Sequence, residues 1–102
     1  MNVNNLLTEL NSSLRSLITD YIGLYFYGSR AIGLDDFESD VDVVILLCSV
    51  DIKKKYMVYE LISFLMNKYC VFIDIKILTY DQFEFNPFFY EEVKSKGFFY
   101  AA

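Results

Sequence analysis

The stretch YIGLYFYGSRAIGLDDFESDVDVVILL, residues 21–47, decides the fold of this chain. Two apolar runs, Tyr21 to Tyr27 and Val43 to Leu47, enclose the pair Gly28-Ser29 and, ten residues later, the triplet Asp40-Val41-Asp42. A glycine-serine turn that leaves a strand can present backbone N–H groups and a hydroxyl to phosphate. Carboxylates at positions i and i+2 of a strand point to the same face and suit Mg²⁺. Together the two motifs indicate nucleotidyl transfer.

The composition predicts one small domain, residues 1–102, with 55% hydrophobic and 19% aromatic residues. The net charge is −5, so we expect no direct binding to a nucleic-acid backbone, which needs clustered Lys and Arg. The absence of histidine excludes a Ser-His-Asp triad and His-ligated zinc. No signal peptide or membrane-length apolar segment is recognisable, so a soluble cytoplasmic protein is expected. We expect Cys48 and Cys70 to be buried free thiols.

Periodicity predicts an α/β fold in which a mixed sheet carries packed helices in two layers. The predicted order is α-β-α-β-α-β-α, followed by a possible short last strand. The segments are a helical face from Leu6 to Ile18, a strand at Tyr21–Tyr27, a short helix at Ser29–Leu34, a strand at Val41–Leu47, a helix at Lys53–Lys68, a strand at Val71–Leu78, a helix at Phe88–Lys96 and a strand at Phe98–Tyr100. Pro87 suits the first turn of the last helix and Gly97 its end.

Asp40, Asp42 and Asp74 are the predicted catalytic residues and metal ligands. Asp74 is the acid inside the third apolar strand, between Ile73 and Ile75. An isolated carboxylate buried there would be expensive, and two cations would offset that cost. Asp74 could also take the proton from an incoming hydroxyl.

The phosphates of a nucleotide are predicted to contact Gly28, Ser29, Arg30 and Ser39. Glycine lets the backbone approach closely, the serines offer hydroxyls, and Arg30 offers positive charge. Each feature taken alone has an ordinary structural explanation: a turn, a surface arginine, or a solvated Asp-x-Asp loop. Their joint occurrence on a strand-turn-strand framework favours the functional interpretation.

These motifs resemble a known family. Gly28-Ser29-Arg30-Ala31-x-Gly33 followed by Ser39-Asp40-Val41-Asp42 is similar to the signature of the DNA polymerase β-type nucleotidyltransferases. The small size and the tail, with Asn86-Pro87-Phe88-Phe89, resemble the minimal nucleotidyltransferase (MNT) branch. Ile32 departs from the family, which often has a basic residue there.

The resemblance implies an antitoxin paired with a HEPN-domain ribonuclease toxin. It implies transfer of AMP from ATP, with two Mg²⁺ ions, to a tyrosine hydroxyl of the toxin, and a hetero-oligomer with that toxin. The site residues carried over are Gly28 and Ser29 for phosphate and Asp40, Asp42 and Asp74 for metal.

Two other interpretations stay open. The chain could neutralise its partner by masking it, with little or no turnover. It could also be a nucleotidyltransferase with another acceptor, such as an antibiotic or an RNA end. We expect no second domain to hold an antibiotic, and the net charge of −5 disfavours an RNA end. Eight aromatic residues of the tail, between Phe83 and Tyr100, are candidate partner contacts, although most are expected to cover the sheet.

Overall fold

The computed structural model describes residues 3–28 and 40–102. The predicted helix at 29–34 therefore lies outside the described residues. The elements are α1 (Val3–Leu17), β1 (Tyr21–Tyr27), β2 (Val41–Leu47), α2 (Ile52–Tyr69), β3 (Ile73–Thr79), α3 (Tyr80–Phe85), α4 (Pro87–Lys96) and β4 (Phe98–Ala101). The predicted helices and strands within the described ranges are confirmed, and α3 is an addition to them.

The four strands form one mixed sheet in the order β3-β2-β1-β4. β1 runs antiparallel to both β2 and β4, whereas β2 and β3 are parallel. The parallel pair is joined by α2, the long crossover that parallel neighbours require. This arrangement places the end of β1 beside the beginnings of β2 and β3, at one end of the strands.

Alternation along the strands divides the apolar residues between the two faces of the sheet. One face packs against α1 and α2 through a large buried cluster that includes Leu10, Leu24, Ile45 and Leu65. The other face is covered in part by α3 and α4, with Val44, Leu46, Phe83 and Val93 buried between them. The predicted α/β class with a mixed sheet is confirmed, and the second face gains a partial additional layer.

The ends of the helices follow from their capping residues. Asp51 begins α2, where its carboxylate accepts a hydrogen bond from the Lys54 N–H at 2.8 Å. Asn86 begins α4 by accepting from the Phe89 N–H at 3.2 Å, with Pro87 in the first turn as predicted. None of the helices in residues 3–28 and 40–102 combines the length and apolar character of a membrane span.

The prediction for the cysteines is half wrong. Cys48 and Cys70 are free, as expected, but both are exposed. Cys48 follows the last residue of β2, so it has already left the sheet. Cys70 ends α2 in the left-handed conformation, with φ 52°, which turns its side chain away from the core cluster.

Candidate active site

Three side chains form a row across the sheet, at the end of the strands where β2 and β3 begin. Asp42 is paired with Asp74 on one side and with Tyr27 on the other. Neighbouring strands lie about 4.8 Å apart, and paired residues point to the same face. The face is the one that α4 covers, because Tyr27 packs against its Phe89. The structure thus brings two of the predicted carboxylates together.

Asp40 stands next to this row. It is exposed and immediately precedes β2, two residues from Asp42. Its charge reaches Asp42: partial burial raises the pKa of the Asp42 carboxyl, and the negative charges of Asp74 and Asp40 raise it further. Lys76, on the same face, acts in the opposite direction. The three predicted carboxylates therefore share one electrostatic environment.

The burial expected for Asp74 is wrong. The side chain is exposed, whereas Asp42 is half-buried. The physical reason is position: β3 is an edge strand and Asp74 lies in its first two residues, beyond the part of the sheet that α3 and α4 cover. The unfavourable interaction of Asp74 is therefore its repulsion with the Asp42 carboxylate and not the cost of burial in an apolar interior.

Gly28 ends β1 beside Asp42. Its φ is +87°, a region that favours glycine, and a Cβ at this position would collide with the Asp42 carboxylate. The backbone at Gly28, in the predicted phosphate-binding motif, therefore lies directly against Asp42, a predicted metal ligand. The other predicted phosphate ligands, Ser29, Arg30 and Ser39, lie outside the described residues.

An aromatic and basic wall borders the row. The rings of Tyr27 and Phe89 meet edge to face with centroids 5.5 Å apart. Lys76 places its Nζ 5.9 Å from the centroid of Phe89, within the range of a cation–π contact. Burial raises the pKa of Tyr27 to about 12, and the charges of Asp42 and Asp74 contribute to the rise. The phenol is therefore uncharged at neutral pH.

Tyr27 and Phe89 were not among the predicted site residues. The signal for Tyr27 was available, since it directly precedes Gly28 and pairs across β1 and β2 from Asp42. Phe89 had no such signal, because its contact with the site depends on how α4 packs on the sheet. Lys76 was recognisable from its alternation with Asp74 along β3.

The donor chemistry fits a hard cation, although the described residues hold no preformed set of ligands. Within residues 3–28 and 40–102, no three Cys, Asp or Glu side chains stand close enough together to hold a metal ion. Carboxylate oxygens are nevertheless the ligands that Mg²⁺ prefers. Partial burial and then the charges of Asp74 and Asp40 raise the pKa of Asp42, and a cation between the carboxylates would relieve the part that is due to repulsion.

The fold is similar to that of solved toxin-antitoxin structures. A chain of a toxin-antitoxin MntA-HpeT mutant with two Asp-to-Glu substitutions matches with a TM-score of 0.62 and 18% identity, over 100% of this chain and 75% of that one. A toxin-antitoxin structure with AMP-PNP gives 0.62 and 20%, over 96% and 73%. The tri-AMPylated Shewanella oneidensis HEPN toxin in complex with MNT antitoxin gives 0.58 and 16%, over 97% and 72%.

At this level of identity the likeness shows the fold. The nucleotidyltransferase-like fold predicted from the sequence is therefore confirmed. No family model matches the sequence, and no curated protein does so at a significant level.

Proposed function

We propose that this protein is an antitoxin that transfers AMP from ATP to a tyrosine hydroxyl of a HEPN-type toxin and thereby neutralises it. The observation that carries the proposal is the pairing of Asp42 with Asp74 on adjacent parallel strands, with Gly28 against the Asp42 carboxylate. Solved structures of the same fold support it, because one is described with AMP-PNP and another with a tri-AMPylated HEPN toxin. We treat residues 1–102 as one minimal nucleotidyltransferase domain.

Asp40, Asp42 and Asp74 would hold two Mg²⁺ ions in this proposal. Mg²⁺ bound there would neutralise the triphosphate and stabilise the charge that develops on the attacking and leaving oxygens. The carboxylates come from two strands of a rigid sheet, so the relative position of Asp42 and Asp74 is fixed before substrate binds. Such fixed positions lower the reorganisation needed in the reaction.

The chain's own groups then have defined roles. Asp74 accepts the proton of the incoming tyrosine hydroxyl, whose ordinary pKa of about 10 keeps it protonated at neutral pH. The tyrosine oxygen bonds to the α-phosphorus while the bond from that phosphorus to the bridging oxygen of the β-phosphate breaks. Pyrophosphate leaves with the electron pair. The exposed position of Asp74 leaves room for a side chain that arrives from a partner protein.

The phosphates of ATP would be bound by Gly28, Ser29, Arg30 and Ser39 at the end of β1. Lys76 supplies a positive charge on the same face as Asp42 and Asp74, where it can attract the departing pyrophosphate. The reaction consumes ATP and acts on a ribonuclease, so we place the protein in the cytoplasm and in a hetero-oligomer with its toxin.

The test measures intact masses. The purified chain is mixed with the product of the neighbouring open reading frame, Mg²⁺ and each of the four nucleoside triphosphates. We expect the partner to gain one or more AMP masses with ATP, and none when Asp40→Asn and Asp42→Asn are combined. Glu60→Gln is the matched control, because Glu60 is an exposed acid on α2, on the other face of the sheet, and should leave transfer unchanged.

The masking interpretation gives a different result in the same experiment. If the partner's mass stays unchanged while the Asp40→Asn, Asp42→Asn variant still suppresses its ribonuclease activity, the protein neutralises by binding alone. Transfer to a different acceptor, with no modification of the partner, would contradict the proposed substrate but not the proposed chemistry.

A further inference from the structure

Two phenylalanines project from the turn between α3 and α4. Phe85 is the last residue of α3 and is 89% exposed, and Phe88 in the first turn of α4 is 87% exposed. They are the most exposed large apolar side chains among residues 3–28 and 40–102. We call residues 80–92 the α3–α4 corner. An isolated exposed phenylalanine is ordinary, but two at one turn suggest a binding surface.

A buried aromatic contact and two helix caps hold the backbone of the corner in place. Phe83, two residues before Phe85, is fully buried and touches Phe89 with ring centroids 6.0 Å apart. A reciprocal capping box joins Thr79 and Gln82 at the start of α3, and Asn86 caps α4. Phe85 and Phe88 thus leave a fixed backbone. Aromatic side chains presented in this way lose little conformational entropy when they bind.

The corner's own residues are acidic, although two lysines from the end of α4 reach it: Lys96 Nζ lies 3.3 Å from Glu92 Oε1, and Lys94 donates to the Tyr90 hydroxyl at 3.0 Å. Residues 80–92 contain no lysine or arginine and four acids: Asp81, Glu84, Glu91 and Glu92. An exposed apolar pair surrounded by acids is complementary to an apolar surface surrounded by Lys and Arg. The same charges oppose self-association through this surface, since two copies would bring like charges together.

The corner is also continuous with the candidate active site. Phe89, the neighbour of Phe88, contacts Tyr27 and lies under the Nζ of Lys76. Tyr27 in turn pairs with Asp42. The corner is thus connected to the carboxylates through Phe89 and Tyr27, on the same face of the sheet.

We propose that the α3–α4 corner is the docking surface for the protein that carries the acceptor tyrosine. That partner places apolar pockets over Phe85 and Phe88, with basic residues around them. The identity of the partner as the toxin rests on the proposed function. A basic surface is what an RNA-cleaving enzyme has where it binds its substrate, so docking here would also cover that surface.

The test compares the affinity of the whole chain and its variants for the product of the neighbouring open reading frame, by titration calorimetry. Phe85→Ser combined with Phe88→Ser should raise the Kd about 100-fold or more, as expected for central aromatic contacts. Phe64→Ser is the matched control, because Phe64 is 57% exposed on α2, the layer on the other face of the sheet. It should leave the Kd unchanged.

Charge gives a second, independent variant. Glu84→Lys with Glu91→Lys should lower the association rate about tenfold, and added salt should slow the wild-type protein towards the same value. Thermal unfolding of each variant establishes that it is folded.

Three outcomes overturn the docking proposal. Equal Kd values for the wild-type protein and the Phe85→Ser, Phe88→Ser variant would do so, as would an equal loss with Phe64→Ser. A dimer in sedimentation that the double variant abolishes would show that a second copy covers the corner. Failure of AMP transfer with intact, Phe85- and Phe88-dependent binding would contradict the proposed chemistry and leave the docking surface supported.

Discussion

Asp42 and Asp74 lie directly opposite each other on the parallel strands β2 and β3, although both carry negative charge. Like charges placed opposite each other on a sheet destabilise it. The pKa of Asp42 is raised, first by its partial burial and then by the charges of Asp74 and Asp40, while Lys76 acts in the opposite direction. The pairing therefore has a cost in stability, which the proposed metal site would explain.

Replacement of Asp74 should therefore stabilise the protein. Because the folded pKa of Asp42 is above its ordinary value of 3.8, the folded state binds more protons, and stability falls as pH rises through the interval between the two values. Asp74→Asn removes part of the repulsion, so we expect the Tm to rise by a few degrees at pH 7 and to stay unchanged at pH 3.

Differential scanning fluorimetry at the two pH values measures this effect. Glu60→Gln, an exposed position in the middle of α2, is the control and should shift the Tm at neither. Added Mg²⁺ should raise the Tm of the wild-type protein more than that of Asp74→Asn. A lower Tm for Asp74→Asn at pH 7 would contradict the interpretation of the pair.

Gly28→Ala should reduce activity far more than its effect on stability suggests. The φ of +87° and the contact with the Asp42 carboxylate oppose any side chain. The backbone strain costs about 1–2 kcal/mol, while displacement of Asp42 should lower AMP transfer about 100-fold. In a double-mutant cycle, Gly28→Ala should destabilise less in the Asp42→Ala background, because the steric conflict is gone. Additive free energies of unfolding would show that the two residues do not interact.

Tyr27 should lose its phenolic proton at a higher pH than an ordinary tyrosine. Its pKa of about 12 means that the folded state keeps the phenolic proton after the unfolded chain has lost it. Stability contributed by Tyr27 is present below pH 10 and is lost as pH rises towards 12. Ultraviolet difference spectra of the wild-type protein and Tyr27→Phe should isolate this titration. Asp42→Asn should move it to lower pH; an unchanged midpoint would mean that the charge of Asp42 does not contribute to the shift.

The two phenylalanines of α3 should contribute very differently to the stability of the protein. Phe83 is fully buried and Phe85 is 89% exposed. Phe83→Ala should lower the free energy of unfolding by about 3–5 kcal/mol, whereas Phe85→Ala should change it by less than about 0.5 kcal/mol. Urea denaturation followed by circular dichroism measures both. A large loss with Phe85→Ala would assign that ring a structural role and weaken its use as a binding residue.

Lys54 links the residue before β1 to a residue after β2, at the end of the sheet opposite the candidate active site. Its Nζ lies 2.7 Å from Asp20 Oδ2 and 2.7 Å from Ser49 Oγ, and its hydrogen bond is the main reason that the pKa of Asp20 is lowered. Stability from this group is present above pH 3.8 and is lost as pH falls through the lowered pKa. Lys54→Met should cost about 1 kcal/mol at pH 7 and much less at pH 2.5. The exposed Lys55→Met is the control in the same denaturant titrations.

The strands and long helices were predictable because their signals are local. Val41–Leu47 is confirmed to the residue, and the Asp42 and Asp74 positions followed from alternation along each strand. The sequence could not show that the two acids would be paired, because the register of β2 against β3 depends on the length and packing of α2. It also could not show that Asp74 lies on an edge strand.

The short helix α3 escaped prediction for a different reason. Its six residues, YDQFEF, are too few for a helical period, and their stability comes from the capping box at Thr79 and the burial of Phe83. Likewise, only the structure shows which aromatic residues of the tail are buried and which are exposed. Phe83 is buried, whereas Phe85 and Phe88 are exposed, and no spacing rule separates them.

The position of β4 sets the order in which the molecule can be assembled. Gly23 in β1 pairs with Ala101 in β4, so one edge of β1 stays unpaired in a nascent chain until synthesis has passed Ala101. Contacts between such distant segments form late in folding, and an open strand edge can pair wrongly in the meantime. Since β1 ends at Tyr27, next to Gly28, the proposed phosphate site should form only after translation of β4. A partner that protects the edge during translation would then be an advantage.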